Sequence, residues 1–486
     1  MGCTTILVGK NASYDGSTII ARNDDAPAGN YMPKKFIVVN PDEQPRHYKS
    51  VLSHVEIELP DQPLRYTCMP NAVDGEGIWA ATGVNELNVG MTATETITSN
   101  ERVLGADPLV IYDKEAEQPG GIGEEDIVLI TLPYIRSARE GVKRLGHLLE
   151  TYGTYEMNGI AFQDVNEIWW LETIGGHHWM AKRVPDDHYV VMPNQQGIDE
   201  FDLDDAFGPQ VNHMCSADLR EFIVDNHLDL NLDGHCNPRW IFGSHNESDH
   251  IYNTPRAWYI ERYFNPRTYR WDGEQADYMP ESNDIPWMLV PEHKLTVEDI
   301  KFALSSHFQG TPYDPYDKGP LSNKYRSVGV NRTDFLGLIQ MRPYGAEECQ
   351  AIQWIAVGSN VFNTLVPFYT NVTTTPDYVA NTNGTVSTEN FYWSTRLIGA
   401  LADASFASCH IHIERYQMMV MSKAHALLNK YDTILKETPV DKRQAVCIEA
   451  NQKIADMLKE ETTKVLDKVL YERSCQMKNA FARSDA

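Results

Sequence analysis

The cysteine at position 3 is the residue of this sequence best placed for covalent chemistry. Removal of Met1 and Gly2 makes Cys3 the first residue, which then carries both a thiol and a free α-amine. An α-amine titrates at about 7.7 to 8.0, so it can take the thiol proton and later pass it to a departing amine. Nucleophile and general base then belong to one residue. The alternative is a buried thiol at the start of a strand, without a chemical role.

Arg22 and Asp25 are the charged residues that a neighbouring strand can bring to Cys3. A guanidinium near the sulfur favours the thiolate, which is the nucleophilic form of cysteine. A carboxylate can hold the α-amine or orient the arginine. The three residues together therefore predict a site for nucleophilic attack. The alternative for the two charges is a solvated strand end.

Two predicted strands, Thr4–Val8 and Ser17–Arg22, decide whether these charges reach the thiol. If residue i faces residue 26 − i, the arginine and the aspartate flank the sulfur. If Asp15-Gly16 forms a tight two-residue turn, Cys3 faces Ala28 instead. The arginine then lies roughly 20 Å away, at about 3.3 Å per residue. The residues alone leave both registers open.

The rest of the chain interleaves further strands with helices. Helices are predicted at Glu125–Leu132 and at Ser137–Tyr152, the second with a capping box formed by its first residue and Glu140. The first strands have apolar residues on both faces, which favours a layered architecture with covered sheets. The other predicted strands are Gly77–Thr82, Asn88–Thr94, Gly159–Gln163, Glu167–Thr173, Trp179–Arg183, Tyr189–Met192, Ile352–Val357 and Val361–Pro367.

Composition changes along the chain predict its organisation. Residues 200–320 are rich in Asp, Asn, Pro and aromatic residues, which indicates an insertion with short elements. Helical spacing of Ala, Leu, Lys and Glu begins near His412 and is broken at Thr438-Pro439. We therefore expect a catalytic domain over residues 1–400, with the insertion inside it, and a helical extension over residues 401–486.

Charge and cysteine usage exclude several classes of protein. The 42 Lys and Arg against 68 Asp and Glu give a net charge of −26, so nucleic acid and anionic membranes are not expected partners. The 8 cysteines lie far apart without a C-x-x-C pair, which argues against a disulfide framework and a zinc ribbon. The sequence contains no membrane-spanning run and no secretory signal at its start, so we expect a cytoplasmic location.

Longer motifs surround the candidate residues. The amino-terminal run contains Cys3-Thr4-Thr5, Val8-Gly9-Lys10, Asp15-Gly16-Ser17, Arg22-Asn23 and Asp25. Further blocks, in order, are Gly83-Val84-Asn85-Glu86, Glu167-Ile168-Trp169-Trp170-Leu171-Glu172-Thr173, Gly176-His177-His178-Trp179, Arg183-Val184-Pro185, Pro193-Asn194-Gln195, Asn253-Thr254-Pro255-Arg256 and Gly310-Thr311-Pro312-Tyr313-Asp314. Together these motifs resemble the dipeptidase A family, relatives of the secernins within the N-terminal-nucleophile (Ntn) hydrolases.

The resemblance implies an α+β fold, the Ntn four-layer αββα sandwich, with an inserted region and a helical carboxy-terminal extension. Its implied site residues are Cys3, Arg22, Asp25, Asn85, Asn194 and Arg256. In related amidases two asparagines form the oxyanion hole, here Asn85 through its backbone N–H and Asn194 through its side-chain amide. Arg256 corresponds to a further arginine of the active site, which the resemblance implies binds the substrate.

The implied activity is cysteine-dependent hydrolysis of dipeptides through a thioester, with no metal and no cofactor. Its partner is a small peptide, and the family implies a homo-oligomer. Because Met1 removal leaves Gly2 in front of Cys3, the thiol must also cut the Gly2–Cys3 bond by attacking its own preceding carbonyl. Two alternatives stay open: a related amidase acting on N-acyl amino acids, and a non-catalytic secernin-like binding protein in which Cys3 is never unmasked.

Overall fold

The strands of the chain form two large antiparallel sheets and one small hairpin. We describe residues 2–232 and 234–479 from a computed structural model; Met1, whose removal the sequence predicts, lies outside them. The strands are β1 (Thr4–Val8), β2 (Thr18–Asp25), β3 (Ile37–Val39), β4 (His47–Lys49), β5 (Glu56–Glu58), β6 (Tyr66–Cys68), β7 (Thr82–Asn85), β8 (Gly90–Thr96), β9 (Asn158–Gln163), β10 (Ile168–Ile174), β11 (His178–Arg183), β12 (Tyr189–Met192), β13 (His213–Cys215), β14 (Met288–Leu289), β15 (Thr333–Met341), β16 (Ala351–Val357) and β17 (Val366–Tyr369).

The two large sheets divide the strands between them. The 7-stranded sheet has the order β14-β12-β1-β2-β15-β16-β17, so β2 lies at its centre between β1 and β15. The 8-stranded sheet has the order β13-β11-β10-β9-β8-β7-β6-β3, and β4 pairs only with β5. Segment 200–320, predicted as an insertion, supplies β13 and β14, an edge strand for each sheet. The predicted domain boundaries remain predictions.

The helices are α1 (Glu101–Ala106), α2 (Glu124–Thr131), α3 (Ala138–Tyr152), α4 (Leu203–Ala206), α5 (Leu219–Asp225), α6 (Pro238–Phe242), α7 (Asp249–Tyr252), α8 (Thr254–Phe264), α9 (Val297–Leu304), α10 (Asp377–Ala380), α11 (Phe391–Asp403), α12 (Phe406–Glu437) and α13 (Val440–Cys475). The Ser137 hydroxyl caps α3 by accepting from the N–H of Glu140. Glu140 accepts from the N–H of Arg136 rather than from its capping partner, so only half of the predicted capping box forms.

The sheets pack face to face, and helices cover their outer faces. Leu7 and Ile20 of the 7-stranded sheet share one apolar cluster with Ala161 and Trp170 of the 8-stranded sheet. Helices α8, α9 and α12 pack on the far side of the 7-stranded sheet, where Ile6 contributes to another cluster. Helices α2 and α3 cover the far side of the 8-stranded sheet. Helix, sheet, sheet and helix therefore follow one another in layers, as a covered sandwich requires.

The register of β1 against β2 differs by one residue from the predicted one. Thr4 pairs with Asn23 and Thr5 with Arg22, so residue i faces residue 27 − i. The prediction of 26 − i was wrong, and so was the tight-turn alternative. Because successive side chains of a strand point to opposite faces, a shift of one residue changes which side chains of β2 share a face with Cys3.

Most of the predicted strands form, but the strand predicted at Val361–Pro367 begins only at Val366, and no strand was predicted for β3, β4, β5, β6, β13 or β14. Two further failures lie near the site. Segment 77–81 is not a strand, and Trp79 and Ala81 within it have φ angles of 48° and 58°. Such angles are uncommon for residues with a Cβ. Strand β15 was missed, although its nine residues are all buried and pair with β2 along their length.

The carboxy-terminal part is helical, as predicted, and is interrupted between Glu437 and Val440. Helix α13 packs against α12, α11 and the edge strand β17. The Asn451 side chain of α13 accepts from the Tyr369 N–H and donates to the Tyr369 carbonyl, both at 2.9 Å. None of the helices formed by residues 2–232 and 234–479 is both long and apolar enough to cross a membrane.

Candidate active site

The Cys3 thiol lies against the guanidinium of Arg22. Arg22 Nη2 is 3.1 Å from Cys3 Sγ, and both residues are fully buried. The observed register explains this contact, because Thr5 is directly opposite Arg22 and its side chain lies on the same face as that of Cys3. That face points between the two sheets, where Leu7 and Ile20 also pack. The contact supplies the cation that a thiolate requires.

Asp24, and not Asp25, is the carboxylate of β2 on this face. Its Oδ1 lies 3.1 Å from Arg22 Nη2, and its Oδ2 lies 2.8 Å from Lys34 Nζ. Burial opposes ionisation of Asp24, but the charges of Lys34 and Arg22 outweigh it and hold its pKa below the usual value. Lys34 also donates to the Trp79 carbonyl at 2.9 Å, so the strained segment 77–81 positions this cation.

The amino-terminal end of α2 places carboxyl groups beside Arg22. Glu124 Oε1 accepts from Arg22 Nη2 at 3.1 Å. Glu156 accepts from the Glu124 N–H at 2.7 Å, and burial together with the Glu124 charge raises its pKa to about 8. Burial and the Glu125 charge likewise raise the pKa of Asp126 to about 7. At neutral pH the four carboxyl groups of Glu124, Glu125, Asp126 and Glu156 therefore carry fewer than four negative charges.

Asp25 pairs with the arginine that contacts Gly2, the residue before Cys3, and does not lie beside the thiol. The buried Asp25 carboxylate accepts from Thr333 Oγ1 at 2.5 Å and forms a short ion pair with Arg326. The same Nη2 of Arg326 donates to the carbonyl oxygen of Gly2. The expectation that Asp25 flanks the sulfur was therefore wrong in register, because the side chain lies on the opposite face of β2 from that of Cys3.

Arg256 fixes the backbone of the candidate nucleophile from the helical layer. It lies on α8, is fully buried, and donates through Nη1 to the Cys3 carbonyl and to Thr4 Oγ1. Its Nη2 donates to Asn194 Oδ1 at 2.7 Å and to Asn253 Oδ1 at 2.8 Å. A planar guanidinium with several fixed donors suits such a junction.

The two predicted oxyanion donors have different surroundings. Asn194 Nδ2 donates to the Thr96 carbonyl at 2.9 Å, which uses one of its two amide protons. Asn194 thus lies next to Arg256, one residue removed from Cys3. The backbone N–H of Asn85 donates to the Val89 carbonyl at 2.9 Å in the β7–β8 hairpin. Its side-chain amide donates to two carbonyls after α2, so the geometry does not support Asn85 as a donor.

A cavity of about 850 Å³ reaches the Arg326 side of this site. Its walls include Tyr31, Arg326, Ser327, Trp393 and Arg396. A volume of this size accommodates a small organic ligand. A second cavity, of about 570 Å³, lies between α9 and α12, and its walls include none of the residues that surround Cys3.

Several members of the site were not found from the sequence. Arg326 is 301 positions from its partner Asp25, and Glu124 is 102 positions from Arg22. Contacts between residues so far apart leave no pattern in the local sequence. The acidic residues at the start of α2 gave no signal either, because acids are common at the amino-terminal end of a helix. Within residues 2–232 and 234–479, no group of three or more His, Cys, Asp or Glu side chains is arranged to hold a metal ion.

Comparisons with known proteins agree with the predicted resemblance. A sequence model described as "Peptidase family C69" matches residues 2–419. A protein of Bifidobacterium longum named "Dipeptidase" is 56% identical, with 100% of both chains covered. A "Probable dipeptidase A" of Streptococcus pyogenes serotype M3 is 51% identical, again with 100% of both chains covered. "Dipeptidase A" of Lactobacillus helveticus is 43% identical, over 97% of this chain and 96% of its own.

Proposed function

This chain belongs to peptidase family C69, and on that premise we propose that it is a dipeptidase whose nucleophile is the thiol of Cys3. We also propose that its layered sheets are an Ntn-hydrolase αββα sandwich. The observation that carries the proposal is the 3.1 Å contact between Arg22 Nη2 and Cys3 Sγ at the end of β2. This contact gives a buried sulfur the positive charge that its reactive form needs.

The proposed reaction begins once Cys3 is the first residue of the chain. Its sulfur attacks the carbonyl carbon of the peptide bond, and its α-amine, protonated, delivers a proton to the departing amino acid. The free amide proton of Asn194 is available for the oxyanion that forms on the attacked carbonyl. Water then attacks the thioester, which releases the first amino acid and restores the thiol.

Charged neighbours hold this machinery in place. Arg22 supports the thiolate and is itself held by Asp24 and Glu124. Arg256 fixes the Cys3 carbonyl and orients Asn194, so its proposed role is positioning of the site and not only contact with substrate. The cavity beside Arg326 is the proposed place for the small peptide.

The direct test is hydrolysis of dipeptides by Cys3→Ala and Cys3→Ser variants. We expect the Ala variant to lose the activity by a factor of about 10⁴ or more, because the covalent step has no substitute. Cys215→Ala is the matched control: this cysteine is buried on β13, away from the site, and its loss should leave the rate within about twofold. Full activity of the Cys3→Ala variant contradicts the proposal.

Substrate and mass measurements separate the two alternatives. A dipeptidase hydrolyses dipeptides with a free amino terminus and not their N-acylated forms, whereas an amidase of the same family does the reverse. Intact mass of active protein addresses the binding-protein alternative, because retention of Met1 and Gly2 leaves no terminal thiol. We also propose a cytoplasmic location, since all eight cysteines are free thiols, and a homo-oligomer on the ground of the family resemblance alone.

A further inference from the structure

We propose that Arg326, held by Asp25, is the catalytic group that drives self-removal of the residues before Cys3, by stabilising the negative charge that forms on the Gly2 carbonyl oxygen. This inference rests on the proposed function, in which Cys3 must become the first residue. It assigns to Arg326 a chemical role that is separate from hydrolysis of the substrate.

The contacts of Arg326 direct one guanidinium nitrogen at the bond to be cut. Nη2 of Arg326 donates to the Gly2 carbonyl oxygen and pairs with the Asp25 carboxylate. Nη1 donates to the carbonyls of Ser327 and Val328 at 2.9 and 3.3 Å, which fixes the plane of the guanidinium. Asp25 is in turn held by Thr333. The group is therefore fixed in place before the reaction, as an effective oxyanion donor must be.

The guanidinium groups of Arg326 and Arg22 contact the two residues joined by the Gly2–Cys3 bond. Arg22 contacts the Cys3 sulfur, and Arg326 contacts the Gly2 oxygen, from opposite faces of β2. One cation therefore favours the attacking thiolate, and the other favours the oxyanion that the attack creates. Both charges are needed at the same step of the reaction.

The reaction is balanced without any reagent other than water. The Cys3 thiolate attacks the Gly2 carbonyl carbon, a C–S bond forms, and an electron pair moves to the oxygen beside Arg326. The C–N bond then breaks, the Cys3 nitrogen takes up the proton that the thiol lost, and Gly2 is left as a thioester. Water attacks this thioester, the C–S bond breaks, and Gly2 departs as a carboxylate from the restored thiol.

The residue before the thiol fits this site closely. A Cβ added to Gly2 would lie 3.0 Å from Arg326 Nη2 and 3.1 Å from Arg332 Nη2. Contacts of this length are tighter than ordinary van der Waals distances, so a larger residue would displace the guanidinium from the carbonyl. Because Arg326 also lines the cavity of about 850 Å³, the departing residue has a path out of the site.

The test follows the loss of Gly2 by intact mass during cell-free synthesis. We expect Arg326→Lys to slow this loss at least tenfold, while Arg396→Lys, which changes another arginine of the same cavity, processes at the wild-type rate. Gly2→Ala alters no side chain of the folded body, so it tests the same contact if Arg326→Lys fails to fold. It should also slow the loss at least tenfold. Wild-type processing rates in Arg326→Lys or Gly2→Ala overturn the inference.

Two further chains separate this inference from the proposed function. Cys3→Ala should keep Gly2 indefinitely; loss of Gly2 from it would show cleavage by another peptidase and overturn self-removal. A chain lacking Gly2 exposes Cys3 when Met1 alone is removed, so its dipeptidase activity does not depend on self-removal. If that chain is inactive, the proposal that Cys3 acts as an N-terminal nucleophile is wrong. If it is active while Arg326→Lys slows the loss of Gly2 from the full chain, both the proposed function and the inference are supported.

Discussion

The guanidinium of Arg22 contacts three side chains at once, which explains why an arginine is needed at this position. Its Nη2 lies 3.1 Å from each of Cys3 Sγ, Asp24 Oδ1 and Glu124 Oε1. The two carboxylates compensate its charge, and the sulfur is the third neighbour. A buried cation with this arrangement is costly to replace, because removing it leaves Asp24 with Lys34 as its remaining cation and takes from buried Glu124 the ion pair with Arg22.

We therefore expect Arg22→Lys to fold and to lower the reactivity of the thiol. An ammonium is a compact charge on a flexible stem and cannot keep all three contacts of the planar group. The rate of Cys3 alkylation by iodoacetamide at pH 7, followed by mass spectrometry of the amino-terminal peptide, should fall about tenfold or more. Arg183→Lys, on β11 and paired with Glu167 and Asp186, is the control and should leave the rate unchanged. An unchanged rate in Arg22→Lys would remove the support for a thiolate.

Residues close in sequence were the predictable part of the site. Cys3 and Arg22 lie on two strands joined by one loop, so their proximity follows once the hairpin is recognised. The choice between Asp24 and Asp25 depends on one residue of register, which the loop residues did not determine. Arg326 and Glu124 come from distant segments, and their places depend on how the whole sandwich packs.

Strand β2 positions the site because it lies at the centre of its sheet. It pairs with β1 on one side and with β15 on the other, where Gly337 is directly opposite Arg22. Gly337 leaves little room for a side chain, since an added Cβ would lie 2.0 Å from the ring of Phe335. The backbone beside Arg22 is thus closely packed.

We predict that Gly337→Ala lowers the free energy of unfolding by about 1–3 kcal/mol, because overpacking of a buried position displaces the Phe335 ring. Urea unfolding measures this change, and dipeptide hydrolysis should fall with it. Gly105→Ala is the matched control, since a Cβ there meets nothing within 4 Å on helix α1. It should leave stability unchanged or raise it by up to about 1 kcal/mol. Equal stability of the two variants would contradict this packing.

At the level of elements, local patterns predicted β1, β2, β8 to β12, β16 and both long carboxy-terminal helices. Short apolar runs bounded by turn residues were sufficient for the strands, and helical spacing with the break at Pro439 was sufficient for the helices. Segment 77–81 failed because its apolar residues serve a strained loop that binds Lys34 instead of a strand. Strand β15 was missed because a continuous buried run has no alternation to mark it.

The whole molecule is strongly acidic, and several of its carboxyl groups are buried. Glu172 of β10 is one of them: its Oε1 accepts from the Gly197 N–H at 2.8 Å and from Trp170 Nε1 at 3.0 Å. Burial nevertheless raises its pKa from 4.5 to about 7. The folded protein therefore keeps a proton on Glu172 over a pH range in which the unfolded chain has lost it.

This difference predicts a fall in stability as pH rises from about 5 to about 7. Below that range the group is protonated in both states, and above it the group is ionised in both. Within it, Glu172 lowers the free energy of unfolding by up to about 1.4 kcal/mol per pH unit. Glu172→Gln keeps the Oε1 acceptor and should make the slope in urea unfolding at pH 5, 6 and 7 shallower by this amount, while Asp126 and Glu156 keep their own contributions. The exposed Glu200→Gln should keep the full slope of the unaltered protein, and equal slopes in the two variants would contradict the prediction.

The contact between Asn451 and Tyr369 has a consequence for how molecules of this protein behave towards one another. Strand β17 is an edge strand of its sheet. The outer side of an edge strand presents unpaired backbone N–H and C=O groups, which can pair with a strand from a second molecule. The amide of Asn451 occupies both backbone groups of Tyr369, much as a peptide unit of a neighbouring strand would. Helix α13 lies beyond residue 419, where the family match ends, and we expect it to hinder addition of a strand from a second molecule at this edge.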